Sequence, residues 1–168
     1  MYRNPNPRMG PKIQVDAPAF REKQWVVTWH HIRDTLVVMS SSCRSLGVLS
    51  LRSDVSQQKR FRCLDFDFDI RNFFVDVSQD LLVLVEHGVG ARLHFRSFRT
   101  GQAHPTLRSL HDNDMPIPQS EFPTSIRRWD TCSIWHEWMV VCFESWTHRI
   151  KRLYHWPSGT LSKVIVGT

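Results

Sequence analysis

Three aspartates stand at every second position in the stretch LDFDFDI, at Asp65, Asp67 and Asp69. A calcium-binding loop also begins D-x-D-x-D, and Asp76 falls at the twelfth position of such a loop. That loop needs glycine at its sixth position, where Ile70 stands, and small polar residues where this chain has phenylalanine. Alternation instead places the carboxylates on one face of an extended segment and apolar side chains on the other. The spacing therefore predicts a half-buried strand rather than a row of metal ligands.

Two other short motifs resemble catalytic or phosphate-binding signatures only in part. His136 and Glu137 begin like a metalloprotease helix, but Val140 stands where the second histidine belongs. The tetrad HGVG, residues 87–90, follows one predicted strand and leads into another, so it is typical of a tight turn rather than a phosphate loop. No spacing in the chain favours a Cys–His pair. We therefore expect a non-enzymatic protein without catalytic residues, metal or cofactor.

The composition is that of one globular domain. The chain has 168 residues, of which 41% are hydrophobic and 23% charged. Its net charge of +6 would suit nucleic acid or an acidic partner, but the Lys and Arg residues are dispersed and form no block. Apolar runs such as 81–85 are far too short to cross a membrane. We expect solvated strand faces, with binding to nucleic acid or another anionic ligand through a basic and aromatic surface as the alternative.

The N-terminus and the cysteines indicate an intracellular location. The first twenty residues are polar and proline-rich and lack the apolar segment of a secretory signal. Cys43, Cys63, Cys132 and Cys142 lie far apart and match no zinc or disulfide framework. Free thiols in a reducing compartment follow from this pattern, so we expect the cytosol or the nucleus.

The chain divides into a tail, a short helix and a long β region. Residues 1–15 predict a flexible tail, and the apolar spacing within 16–33 predicts a helix, although 25–28 would also suit a strand. Residues 34–168 have the β-branched and aromatic runs of short strands separated by polar turns. We expect those strands at 35–40, 47–52, 60–68, 73–77, 81–86 and 91–98.

A repeat in the second half suggests how these strands are arranged. Shifting the chain by 58 residues superposes the predicted hairpins 81–98 and 139–156, with Glu86 on Glu144, Phe98 on Trp156 and Gly101 on Gly159. Repetition of a small β unit is typical of a propeller, whose blades usually span about 40 to 50 residues. The excess length lies in the proline-rich segment 102–125, which we expect to be a surface loop. The fold class predicted is all-β: antiparallel hairpin repeats forming two to three blades of a propeller.

Aromatic residues are concentrated in the last forty residues. They could form a stacking platform for single-stranded nucleic acid. Alternation within predicted strands favours packing between neighbouring blades for most of them. The residues concerned are Trp129, Trp135, Trp138, Trp146, Tyr154 and Trp156.

The stretches DFDIRNFFVDVSQDLLVLVE and RLHFRSFRTGQAHP resemble a family of fungal F-box domain-containing proteins. Two shared patterns carry the resemblance, one around S-Q-D-L-L-V-L-V-E and one around R-S-x-x-T-G-x-x-H-P. The segment WMVVCFESWTHRIKRLYHWPSGTL looks like the next, WD-repeat-like blade of that family. The matching residues are Asp69, Arg71, Phe74 (displaced by one), Asp76, Ser78 to Glu86, Arg96, Ser97, Thr100, Gly101, His104 and Pro105.

The resemblance implies a substrate receptor of a cullin–RING ubiquitin ligase. In such proteins an N-terminal F-box binds the ligase adaptor and the propeller-like part recruits the substrate protein. This chain has no Leu-Pro start and no three-helix run, so it resembles a shortened member without the F-box. Protein partners are then expected to bind through loops and exposed strand ends. The residues predicted for that surface are His87, Arg92, Arg96, Arg99, Trp146 and His148. Exposed edges of an open β array also predict an oligomeric or poorly soluble chain.

Overall fold

The chain folds into three consecutive four-stranded antiparallel sheets, here called blades 1 to 3. A computed structural model describes residues 24–52, 61–86, 92–107, 114–116, 126–145 and 149–167. Blade 1 contains β1 (Trp25–Ile32), β2 (Thr35–Ser40), β3 (Ser45–Ser50) and β4 (Phe61–Asp65). Blade 2 contains β5 (Ile70–Asp76), β6 (Leu81–Glu86), β7 (Arg92–Ser97) and β8 (Asp114–Pro116). Blade 3 contains β9 (Ile126–Trp135), β10 (Trp138–Ser145), β11 (Arg149–His155) and β12 (Thr160–Gly167).

Every strand pairs with its neighbours in sequence, so each blade is a simple meander. None of the three sheets formed by the described residues closes into a barrel. The predicted all-β class, with antiparallel repeats that resemble part of a propeller, is confirmed. The antiparallel hairpins β6–β7 and β10–β11 are the two that the sequence repeat predicts.

Blade 2 is the centre of the molecule because both of its faces are covered. Along β6, Leu81, Val83 and Val85 pack against blade 3, and Leu82 and Leu84 pack against blade 1. All five side chains are 0% exposed. A continuous apolar run is what a strand buried on both faces requires, which is why LLVLV shows no polar alternation.

One hydrogen bond recurs at the same corner of all three blades. The residue that follows the third strand donates its backbone N–H to the carbonyl of an acidic residue in the turn before the second strand. The distance from the backbone nitrogen to the carbonyl oxygen is 2.7 Å in blades 1 and 2 and 3.0 Å in blade 3. The donor and acceptor pairs are Leu51 and Asp34, Phe98 and Asp80, and Trp156 and Glu137. Blade 1 therefore belongs to the same repeat, although its sequence similarity to the other two was not detected.

The repeat spacing differs by one residue between the two strands of the hairpin. Pairing of Leu82 with Arg96 in blade 2 corresponds to pairing of Met139 with Tyr154 in blade 3. The second strand of blade 3 thus follows that of blade 2 by 57 residues, and the third strand follows by 58. The predicted matches of Phe98 to Trp156 and of Gly101 to Gly159 hold, with φ of +74° and +66° at the two glycines. The match of Glu86 to Glu144 is wrong by one position.

Two local predictions are corrected. Residues 25–32 of the predicted helix 16–33 form strand β1, whereas 16–23 and the predicted tail 1–15 lie outside the described residues. The segment 102–125 is not only a surface loop, because residues 114–116 add β8 to blade 2. Leu107, at the end of a short 3-10 helix in the same segment, is 0% exposed within the core between blades 2 and 3.

All four cysteines are free thiols; Cys142 is buried and the other three are half-buried. Within the described ranges, no helical segment is long and apolar enough to span a membrane.

Candidate interaction site

The aspartates at 65, 67 and 69 do not form the single strand face that the spacing predicts. Strand β4 ends at Asp65, and the next four residues form the bend that carries the chain from blade 1 to blade 2. Asp65 accepts a hydrogen bond from Ser45 Oγ at 2.5 Å, and Asp69 pairs with Arg44 Nε at 2.6 Å. No described group of three His, Cys, Asp or Glu residues is placed to hold a metal ion. The carboxylates therefore hold the bend between blades.

The residues that carry the family resemblance form a hydrogen-bonded corner of blade 2. Asp76 Oδ1 accepts the Ser78 backbone N–H at 2.9 Å and the Ser78 hydroxyl at 2.5 Å, and Asp76 Oδ2 accepts Gln79 Nε2 at 2.8 Å. Burial alone would raise the pKa of Asp76, but the hydrogen bonds from Ser78 and Gln79 outweigh it and leave the pKa below its usual value. This carboxylate closes the 3-10 turn between β5 and β6.

A second carboxylate extends the same corner to the end of β7. Asp80 has φ of +56°, a left-handed conformation that aspartate tolerates better than most residues. Its Oδ2 accepts the Ser97 hydroxyl at 2.6 Å, and its Oδ1 accepts the Arg99 backbone N–H at 2.7 Å. His104 lies on the other side, with Nε2 3.1 Å from the Gln79 carbonyl and its ring edge-on to Trp156. These polar residues hydrogen-bond to one another and to the backbone, and so stabilise the turn.

The three described residues of the predicted interaction surface all lie along or just after β7. Arg92 is exposed and its Nε is 3.9 Å from Glu86 Oε2. Arg96 is half-buried and its Nη2 is 3.4 Å from His94 Nδ1. Arg99 is exposed, and its carbonyl accepts a hydrogen bond from Arg62. His87, Trp146 and His148 lie outside the described residues, so the surface is seen only in part.

A buried histidine between Arg92 and Arg96 was not anticipated. His94 is 3% exposed, and its Nε2 is 3.0 Å from Glu86 Oε2. Because arginine only donates, the contact of His94 Nδ1 with Arg96 makes Nδ1 the acceptor and Nε2 the protonated atom that donates to Glu86. Phe68 stacks on the His94 ring with a centroid distance of 3.8 Å and an angle of 11°. In the sequence, RLHFR alternates polar and apolar residues. This pattern groups His94 with Arg92 and Arg96 on one strand face and does not indicate that His94 is buried between Glu86 and Phe68.

The first strands of the three blades converge on a cleft of about 350 Å³. Its lining comes from β1 and the turn after it (His30, Ile32, Arg33), from residues 74–78 at the end of β5, and from Cys132 and Ile134 of β9. In a propeller the first strands surround the central channel, and this cleft has the corresponding place.

The lining of the cleft includes both a histidine and a cysteine. Burial raises the pKa of the Cys132 thiol, with a smaller contribution from Cys142, which favours the neutral thiol. Burial also lowers the pKa of His30, whose ring packs edge-on to Phe73 at 4.7 Å. A nucleophilic cysteine needs an activated thiolate, and this environment has the opposite effect.

The exposed large apolar side chains among the described residues all belong to blade 3, and three of them, Trp135, Trp138 and Ile165, lie on its outward face. Cross-strand pairing places Trp135 beside Trp138, Leu153 beside Lys163, and Lys151 beside Ile165, all on the side away from blade 2. Trp135 is 72% exposed, Ile165 50% and Trp138 37%. We call this surface the blade-3 face; it comprises Trp135, Trp138, Lys151, Leu153, Lys163 and Ile165.

Of the four described side chains in the aromatic cluster, two pack between blades and two do not. Tyr154 and Trp156 are 3% exposed and pack between blades 2 and 3. Trp135 and Trp138 lie on the blade-3 face instead. The side chains of Trp129 and Trp146 are outside the described part of the chain.

Comparison of the chain with protein-family models, curated proteins and solved structures found no match in any of the three.

Proposed function

We propose that this chain is a non-enzymatic protein-interaction domain, similar to the substrate-recruiting part of an F-box subunit of a cullin–RING ubiquitin ligase. The observation that carries the interaction role is the blade-3 face. Exposed apolar side chains on a domain surface mark an interaction site, and Trp is among the residue types enriched at binding hot spots. The ligase context rests on the sequence resemblance alone.

The charges on the blade-3 face favour an acidic protein partner. Lys151 and Lys163 are exposed and flank the apolar positions Leu153 and Ile165 through cross-strand pairing. A peptide or protein surface with apolar side chains and carboxylates would complement both features. The partner proposed is thus a substrate protein with an acidic, apolar segment, met in the cytosol or nucleus.

Site-specific photo-crosslinking from Ile165 tests the interaction role. Crosslinks to a protein partner should disappear in the double variant Trp135→Ser, Trp138→Ser, because the aromatic centre of the face is lost. Leu161→Ser is the matched control: Leu161 is 36% exposed on the same strand β12 but pairs with Tyr154, on the opposite face. Crosslinks that persist in the double variant, or that vanish equally in the control, contradict the proposed face.

The ligase context needs a separate experiment. A version of the chain extended upstream of Met1 at the gene should recover the ligase adaptor, and the present chain should not. If the extended version encodes no F-box and recovers no adaptor, the receptor role fails while the interaction role stands.

A second candidate function is single-stranded nucleic-acid binding, favoured by the same tryptophans and lysines. Bases stack on exposed aromatic rings, and lysines contact the phosphates. Oligonucleotide affinity that falls steeply with rising salt, and that is lost in the double tryptophan variant, would support this function instead.

A further inference from the structure

The cleft between β1, β5 and β9 has a mainly apolar lining. Neither the blade-3 face nor the hydrogen bonds at the corner of blade 2 account for it. Its volume of about 350 Å³ lies in the range of small-molecule sites. Apolar side chains supply most of the lining, including Phe74, Val75 and Ile134. A compact apolar group would therefore be removed from water on entering.

Arg33 is the cationic side chain among the described residues that line this cleft. Arg33 is exposed at the turn after β1, and no described carboxylate lies within ion-pair distance of its guanidinium. Its φ of +52° places it in the left-handed region, so the turn fixes the direction in which the side chain leaves the backbone. A fork of N–H donors at the edge of an apolar cleft suits a carboxylate, which arginine binds through two hydrogen bonds.

The acidic residue in the cleft is already engaged by its own turn. Three donors from Ser78 and Gln79 occupy the carboxylate oxygens of Asp76 at 2.5 to 2.9 Å. A ligand ammonium would have to compete with those donors, whereas a ligand carboxylate would meet a guanidinium that no described carboxylate pairs with. Charge complementarity thus favours an anion over a cation.

We infer that this cleft binds a small organic carboxylate, with the carboxylate at Arg33 and an aliphatic or aromatic body against Phe74, Val75 and Ile134. His30, half-buried at the cleft wall, can donate a hydrogen bond to the ligand. The site uses the inner strands of the blades, so it does not depend on the proposed function of the blade-3 face.

Three probes with the same six-carbon body separate the contributions to binding. Hexanoate, hexanamide and hexylamine are titrated into the full chain while the methyl NMR signals of Ile32 and Ile134, which line the cleft, are followed. Hexanoate should shift these signals saturably and bind roughly tenfold more tightly than hexanamide, as expected for a charge-assisted hydrogen bond. The Ile165 methyl, on the blade-3 face, is the internal control and should not shift.

Variants at exposed arginines assign the anion contact. Arg33→Gln should weaken hexanoate binding about tenfold and leave hexanamide binding unchanged, and Arg33→Lys should restore part of the difference. Arg92→Gln, which removes an exposed arginine outside the cleft, should change neither. Equal binding of hexanoate and hexanamide, tighter binding of hexylamine, shifts of Ile165 with the same dependence, or no saturable shift at Ile32 and Ile134 would each overturn the inference.

Discussion

Blades 2 and 3 are built from the same repeated hairpin but differ in what covers them. In blade 2 the outward-facing residue of the third strand, Phe95, is 0% exposed because blade 3 packs on it. The corresponding residue of blade 3, 58 positions later, is Leu153, which is half-buried on the blade-3 face. The repeat thus specifies the strands and turns of each blade, whereas its neighbours decide whether an apolar residue acts as core or as surface.

The side chains at two equivalent corner positions also interact differently in blades 2 and 3. In blade 2 Asp80 accepts the Ser97 hydroxyl at 2.6 Å. In blade 3 the positions belong to Glu137 and His155, whose side chains are 3.5 Å apart, with Glu137 70% exposed. The backbone hydrogen bond is kept in both blades, so the fold of the corner does not require one particular side-chain pair. The four predictions below test how far the two blades differ, from the largest expected effect to the smallest.

Truncation of the two equivalent apolar residues should give very different losses of stability. Phe95→Ala removes a fully buried ring whose centroid is 6.4 Å from that of the Trp156 ring. The substitution should lower the free energy of unfolding by about 3 to 5 kcal/mol. Leu153→Ala removes a half-buried side chain, and should cost about 1 kcal/mol or less. Urea denaturation followed by tryptophan fluorescence measures both. Equal losses would mean that blade 3 is covered in solution or that blade 2 is not.

Removal of the corner carboxylates should again affect blade 2 more strongly. Asp80→Ala loses two hydrogen bonds and places alanine at a positive φ, so we expect a loss of about 2 kcal/mol. Glu137→Ala removes an exposed partner of His155 and should change stability little. Thermal unfolding of the two variants checks this order. A loss in Glu137→Ala that matches the loss in Asp80→Ala would show that the ion pair stabilises the third corner as strongly as the hydroxyl bond stabilises the second.

Acid should destabilise the blade-2 corner through Asp76. Its pKa is lower in the folded protein than its ordinary value of 3.8, so the ionised carboxylate stabilises the folded state above about pH 4, and this contribution is lost as the pH falls through the folded pKa. Asp76→Asn should be less stable than the wild type at neutral pH and should show a smaller further loss below pH 4. The urea midpoints of unfolding at several pH values measure this loss of stability, with Glu137→Gln in blade 3 as the control. An unchanged acid profile in Asp76→Asn contradicts the role of its hydrogen bonds.

The class of fold and most strands could be predicted because their signals are local. Strands β2 and β6 begin and end where predicted, since each is an apolar run with turn residues on both sides. Strand β1 lies where a helix was predicted, with a strand at 25–28 as the alternative. The pairing register shifts between Val26 and Trp29, and this bulge interrupts the period-2 pattern. The strand predicted at 60–68 is too long, because β4 ends at Asp65. Alternation of aspartate and apolar residues cannot show where the chain turns from one blade into the next.

The candidate sites were harder to predict because they are assembled from distant residues. The cleft joins Arg33, Asp76 and Ile134, which come from three different blades. The blade-3 face depends on which side of β10 points away from blade 2, and the one-residue difference in repeat spacing reverses the side that the sequence alignment implies. Composition identified the tryptophans and lysines, but only the pairing register shows which of them lie together.

The smallest effect on stability, and the most informative for function, is expected on the blade-3 face. Ile165→Lys replaces a side chain that is 50% exposed, so the free energy of unfolding should change by less than about 0.5 kcal/mol. Self-association should nevertheless decrease, because an added charge beside Lys151 disfavours contact between apolar faces. Light scattering of the wild type should show oligomers that the variant lacks, and Leu161→Ser on the opposite face should behave like the wild type. A wild-type chain that is already a clean monomer would contradict self-association through this face. The exposed tryptophans would then be available to a different partner at all concentrations, which the crosslinking experiment detects directly.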